Sequence, residues 1–317
     1  MIGTDLTRHS EVEAALWRSL SVTPAAREMA VGPVAVGHHV REVGSGPAVV
    51  FVHGTSVSGA CFAPLVALLH DRRCLVVDRP GCGFSDRWPE PIRETASFET
   101  FADRWLVQLL DALELDAATI VSTSFGGLFA LRAVAAHSDR FVALKHLAWS
   151  AGAPIAHVPL VMRVAAVPSI GRLMTRLPLP RFVARSMLKQ IGLGGALAAG
   201  RIGDEFFEWF RSIATDTDTI RNEIDSLPAV TNVRHRLNED LLLSEELLGS
   251  IRRPIEFLWG GDDPMGGVDI AERFVAKIPG ATLEVLDGAG HAPWVDDPER
   301  AAAFVRASPR TVRSEVT

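Results

Sequence analysis

Ser124, Asp263 and His291 are the residues of this chain whose types and surroundings could together activate a hydroxyl group. Ser124 lies in VSTSFGGLFAL (121–131), where an apolar run turns through small residues and continues with helical periodicity. A serine is a poor nucleophile unless a base takes its proton and a carboxylate orients that base. His291, in DGAGHAPWVDD, and Asp263, in FLWGGDDPM, supply both types downstream. Such a set would attack a carbonyl carbon, form an acyl intermediate and release it to a water that the imidazole activates. Each residue also has a plainer reading: Ser124 as a helix cap whose oxygen accepts from free N–H groups, His291 as a surface loop histidine, Asp263 as a turn residue.

The elements around them decide how these readings are weighed. AVVFVHG (48–54) is a continuous apolar run of strand length, and CLVVD (74–78), ATIVS (118–122), KHLAW (145–149), IEFLW (255–259) and TLEVL (282–286) are further candidate strands. Continuous apolar runs indicate strands buried on both faces, as in a parallel sheet. Helical periodicity separates them, notably in FETFADRWLVQLLDAL, FGGLFALRAVAAH, VDIAERFVAKI and PERAAAFVRA. That alternation predicts an α/β fold with a mostly parallel, doubly wound sheet. Ligands of such sheets sit at the carboxyl ends of the strands, where Ser124, Asp263 and His291 all fall. Ser124 follows a strand and precedes a helix, with Ser122 two before it and Gly126 two after, both small enough for a sharp turn.

Two regions depart from the rhythm. Residues 8–30 read as a short amphipathic helix ending near Pro24, followed by the alternating VAVGHHVREVG, which reads as an exposed strand. Between the strands at 145–149 and 255–259 the chain inserts Pro-interrupted apolar helices, including LPLPRFVARSMLKQ and EFFEWFRSI. An insertion at the carboxyl edge would lie over the site as a cap. The expected organisation is an N-terminal helical extension (1–32), an α/β core (33–151 and 236–317) and a helical cap (152–235).

Composition narrows the partners. The 317 residues are 48% hydrophobic and 22% charged, with a formal net charge of −6 and no long Lys/Arg run. This argues against nucleic acid or an anionic membrane surface as the main partner. No export signal or membrane-length apolar stretch is visible, so cytoplasmic localisation without integral membrane association is expected. Cys61, Cys74 and Cys82 lack metal-site spacing and read as reduced structural thiols, so neither a metal nor a cofactor is called for. The partner expected is a small hydrophobic ester-like substrate, with a homodimer as the self-association left open.

With these residues in view, the chain resembles the α/β-hydrolase superfamily, in its serine-nucleophile branch with a helical cap, over about residues 33–306. HGTSVSG (53–59) is similar to that family's oxyanion loop, and DRPGCGFSD (78–86) to a structural loop beside the site. WGGDD is similar to the motif carrying the family's acid, which points to Asp263, with Asp262 as a solvated or turn-forming carboxylate. The resemblance implies that the backbone N–H groups of Thr55 and Phe125 hold the oxyanion, with His53 and Gly54 supporting the loop. It implies a serine hydrolase, foremost a carboxylic ester hydrolase. The alternatives are a C–C bond hydrolase or lactonase, a thioesterase, amidase, haloperoxidase or acyltransferase of the same fold, and a non-enzymatic ligand-binding receptor. Relatives with an Asp nucleophile and cap tyrosines are disfavoured by Ser124 and by the complete absence of tyrosine.

Overall fold

The computed structural model describes residues 4–88, 95–158, 160–175, 177, 179–230 and 239–309. Eight strands form one sheet: β1 (Ala25–Val31), β2 (Val36–Val43), β3 (Ala48–Val52), β4 (Arg73–Val77), β5 (Ala118–Ser124), β6 (Phe141–Ser150), β7 (Ile255–Gly260) and β8 (Thr282–Leu286). Their order is β1-β2-β4-β3-β5-β6-β7-β8. β1 with β2 and β2 with β4 are antiparallel; every other neighbouring pair is parallel.

Helix α1 (Leu6–Ser19) precedes the sheet, and α2 (Ala63–Val66), α3 (Thr95–Ala112) and α4 (Phe125–Ala136) follow its first strands. The insertion holds α5 (Leu160–Ala165), α6 (Pro168–Met174), α7 (Arg181–Gln190), α8 (Gly194–Ala198), α9 (Asp204–Asp216) and α10 (Thr219–Val230). The chain then returns through α11 (Glu245–Ser250), α12 (Val268–Val275), α13 (Pro293–Asp296) and α14 (Pro298–Arg306). The boundary expected near residue 235 lies outside the described residues.

Strand pleating explains why the runs are largely apolar. Successive side chains point to opposite faces, so a sheet covered on both sides draws hydrophobic residues to most positions, and the buried Lys145 and Glu256 of neighbouring strands pair with each other. Val50 and Val52 of β3 enter one core cluster with Trp105 of α3 and Leu131 of α4; Val49 and Phe51 enter the other, with Leu65 of α2 and Val305 of α14. The second cluster continues into the inserted helices through Leu188, Trp209 and Ile213, and to α1 through Leu16 and Trp17.

The N-terminal segment differs from its sequence reading. The helix ends at Ser19, and Ala25–Val31 is an edge strand paired residue for residue with β2. Its side chains are mostly exposed or half-buried, so no apolar alternation marks it in the sequence. Helix α1 is tied to two neighbours at once. The Glu13 carboxylate pairs with Arg41 of β2, and Arg41 with Asp78, all three buried. From the other end, Arg8 donates to both oxygens of Asp216 on α9 at 2.8 Å, and Asp5 N–H donates to the Asp216 carbonyl at 2.9 Å.

Candidate active site

Ser124 ends β5 and α4 begins at the next residue, so the chain reverses character within one peptide. The serine takes φ 50° and ψ −122°, a left-handed conformation that costs a non-glycine residue roughly 1–3 kcal/mol. Its hydroxyl makes no capping bond to α4, so the helix-cap reading fails. The small neighbours are needed sterically: a β-carbon at Gly126 would lie 2.3 Å from the Val52 carbonyl oxygen, and one at Gly127 would lie 2.3 Å from His146 Cε1. Ser122 is tolerated because its hydroxyl lies 2.8 Å from His146 Nδ1 behind the turn. Burial holds the His146 imidazole down to about 3, so that pair stays neutral.

Asp263 and His291 are brought together from the loops after β7 and β8. His291 Nδ1 lies 2.8 Å from Asp263 Oδ2, and both residues are buried. The carboxylate is fixed by two backbone donors, Trp149 N–H on Oδ2 and Met265 N–H on Oδ1, each at 2.9 Å. An acceptor beside Nδ1 makes that nitrogen the protonated one and leaves the Nε2 lone pair available. His291 N–H donates to the Ile191 carbonyl at the end of α7 at 3.0 Å, so the insertion helps to seat the histidine. Asp262 is exposed, as a turn carboxylate should be. The Trp149 donor escaped the sequence reading. It is aimed by Ala148, a non-glycine residue at φ 71°, and no residue type announces that kink.

The loop after β3 approaches the serine closely. A β-carbon at Gly54 would lie 2.8 Å from Ser124 Cβ and 3.3 Å from Oγ, so only glycine fits there. His53 is buried and held down to about 3, by burial first and by the neighbouring Arg79 charge second. Its Nε2 accepts from Arg79 N–H at 2.9 Å, which puts the proton on Nδ1, 2.8 Å from the Gly54 carbonyl oxygen. Arg79 Nη2 donates to the same carbonyl at 2.7 Å. In a trans peptide the C=O and the next N–H point in opposite directions. Pinning the Gly54 oxygen therefore turns Thr55 N–H the other way. Phe125 is the first residue of α4, so its N–H has no intrahelical acceptor, while its ring packs on Phe98 and Phe129. Ser124, with Thr55 to one side and Phe125 N–H next in the chain, thus has two backbone donors from separate elements nearby.

Ser124, Thr55 and His291 line one cavity of about 140 Å³. Its other walls are largely apolar, with Met162 of α5, Met187 and Leu188 of α7, and Phe206, Trp209 and Phe210 of α9 overhead. No lysine, arginine, aspartate or glutamate lines it among the described residues. Cys61 is in the wall, but burial pushes its thiol well above the usual range, so it presents no thiolate. Among the described residues no group of three or more His, Cys, Asp or Glu could hold a metal ion, and no helix is long and apolar enough to cross a membrane.

The sheet and its helices agree with the comparisons to known proteins. Residues 49–304 match the model of the Alpha/beta hydrolase family, and the chain belongs to that family. It is 29% identical over 292 residues to a pimeloyl-(acyl-carrier protein) methyl ester esterase of Xanthomonas campestris pv. campestris, covering 86% of this chain and all of that one. It is 28% identical over 291 residues to a 2-hydroxy-6-oxononadienedioate/2-hydroxy-6-oxononatrienedioate hydrolase of Cupriavidus pinatubonensis, covering 84% and 88% of the two chains. Among solved structures, a carboxylesterase from Bacillus subtilis superposes with a TM-score of 0.71 at 19% identity, over 95% of this chain and 96% of that one.

Proposed function

We propose that the protein is a serine hydrolase that cleaves a carboxylic ester of a small hydrophobic substrate through an acyl-enzyme on Ser124. The observation that carries this reading is the strained Ser124 turn opening, with the Asp263-paired His291, on one apolar cavity. In the cycle, His291 Nε2 takes the proton of the Ser124 hydroxyl as its oxygen attacks the carbonyl carbon. Thr55 and Phe125 N–H groups stabilise the oxyanion, and Asp263 stabilises the imidazolium. The protonated imidazole then gives its proton to the departing alcohol. Water enters, loses a proton to the same nitrogen and releases the acid.

Cavity chemistry favours a neutral ester over the nearest alternative. The Cupriavidus relative is named for hydrolysis of dioates, which are dianions; an unpaired carboxylate is costly in a wall without lysine or arginine. A cavity of about 140 Å³ is close to one that admits a benzene ring, which suits a short acyl or small aromatic group. The test is a panel of p-nitrophenyl esters of increasing acyl length, with fluorophosphonate labelling. Short acyl chains should be hydrolysed faster than long ones, and both turnover and labelling should vanish in Ser124→Ala. A folded protein that binds such esters without Ser124-dependent acylation would overturn the reading in favour of a receptor.

A further inference from the structure

We infer that Glu223, on cap helix α10, is a positioning residue for the oxyanion loop, so that oxyanion stabilisation depends on a carboxylate supplied by the cap. The inference rests on the ester-hydrolase reading above. Glu223 Oε1 accepts from Arg79 Nη2 at 2.6 Å, and Oε2 accepts from the backbone N–H of Ser56 and lies 3.3 Å from its hydroxyl. Arg79 also donates to the same loop, Nη2 to the Gly54 carbonyl at 2.7 Å and Nε to the His53 carbonyl at 3.0 Å. Thr55 is therefore flanked by two peptide planes that Glu223 holds. One is the Gly54–Thr55 peptide, held through Arg79; the other is the Thr55–Ser56 peptide, held directly.

The loop needs such a hold. Ser56 has φ 62°, a conformation that a non-glycine residue keeps only where its surroundings impose it. The pair that imposes it is shielded from water, with side-chain exposures of 6% for Arg79 and 15% for Glu223. Cys82 lies against the carboxylate at 3.6 Å as a neutral thiol, its ionisation pushed well up by burial. Docking of α10 does not rest on Glu223 alone. Asn222 donates to the Gly81 carbonyl and Thr219 accepts from Gly83 N–H, each at 2.9 Å. Loss of the carboxylate should therefore loosen the loop while the helix stays seated.

The experiment compares wild type with Glu223→Ala on a short-chain p-nitrophenyl ester, reading kcat, KM and Tm. It adds the affinity for a trifluoromethyl ketone and for the matching secondary alcohol. The ketone is a probe of the loop: Ser124 Oγ bonds to its carbonyl carbon, the serine proton passes to His291, and the ketone oxygen becomes the bound oxyanion. Glu223→Ala should lower kcat and ketone affinity together by about 100-fold, the scale of a misplaced reacting group, with KM and alcohol affinity within about twofold. Adding Ser56→Gly should recover part of the lost kcat, because glycine holds the left-handed turn unaided. A kcat and ketone affinity within about twofold of wild type, or a loss shared equally by alcohol affinity and Tm with no rescue by glycine, would overturn the inference. Should Glu223→Ala not fold, Arg79→Lys carries the test. It keeps a cation but not the fork that spans the His53 and Gly54 carbonyls, and should cost about tenfold in kcat at unchanged KM; an unaltered kcat refutes the role. Wild type lacking Ser124-dependent turnover would remove both the ester-hydrolase reading and this inference, whereas Ser124-dependent turnover indifferent to Glu223 removes the inference alone.

Discussion

Two side chains at the site are held in place by what touches them, and each yields an expected outcome. Asp263 accepts two backbone N–H bonds besides facing His291, so Asp263→Asn would put an amide NH₂ or C=O where an anion is satisfied by donors alone. The imidazole then loses its preferred tautomer, and kcat for ester hydrolysis should fall by about 10³–10⁴ with KM little changed. Gly54 abuts Ser124, so Gly54→Ala should force the serine side chain aside and slow fluorophosphonate labelling by at least about tenfold. Labelling at the wild-type rate would mean that the loop gives way instead. The placement of Ser124, Asp263 and His291 at strand ends was legible in the sequence because each sits in a short local pattern. Arg79, Glu223, His146 and the Trp149 N–H were not. Their roles come from contacts between residues far apart in the chain, or from the direction of a backbone amide, and neither leaves a trace in residue spacing.

Among the elements, those with an apolar run or a clear alternation were read from the sequence, and the edge strand β1 was not. Strands β3 to β7 are legible because burial on both faces draws mostly hydrophobic residues to them, whereas β8 is half-buried throughout and β2, read as exposed from its alternation, is largely buried. Edge strand β1 carries Arg27 and Glu28 and buries only Val31 fully, so it reads as loop or as the tail of a helix. Helix α1 shows amphipathic periodicity but conceals its polar anchor, because Glu13 finds Arg41 only after the sheet has formed. Arg41 lies between the Glu13 and Asp78 carboxylates, and Asp78 also accepts from Gly59 N–H at 2.8 Å and Phe84 N–H at 3.0 Å. The pairing with Arg41 keeps Asp78 ionised: burial works to raise its pKa, but the guanidinium charge and hydrogen bonds outweigh it and hold the carboxyl below the usual range. Removing the cation leaves two buried acids without compensation, which typically costs about 3–5 kcal/mol. Arg41→Ala should therefore lower the urea midpoint markedly, and loosening should begin at α1 and the loop after β4. An unchanged midpoint would mean that water replaces the guanidinium at no cost.

The whole molecule couples its architecture to acid through buried imidazoles. A sheet covered on both faces, with the inserted helices and α1 packed into one of its core clusters, encloses polar groups that a smaller domain would leave wet. Burial is the leading cause for each of four histidines held below their ordinary range: His53 and His146 at about 3, with His9 and His38 also lowered. In the unfolded chain the same side chains take up a proton near pH 6.5. Between about pH 6.5 and 3 the unfolded state therefore binds more protons than the folded one, and stability falls as pH is lowered through that window. His53 and His146 alone should withdraw about 4 kcal/mol between pH 7 and pH 5, a large share of the roughly 5–15 kcal/mol that holds a domain together. Asp78 adds to the loss only further down, once pH falls below the ordinary carboxylate range. Thermal unfolding followed from pH 7 to pH 5 should show Tm dropping by about 6 °C, beginning below pH 6.5. His146→Asn should flatten that limb by removing one of the two strongest contributors, at some cost in absolute Tm from the altered contact with Ser122. A Tm that stays level down to pH 5 would show that the folded protein protonates these imidazoles as readily as the unfolded chain does, and that the interior around His53 and His146 is wetter than its packing implies.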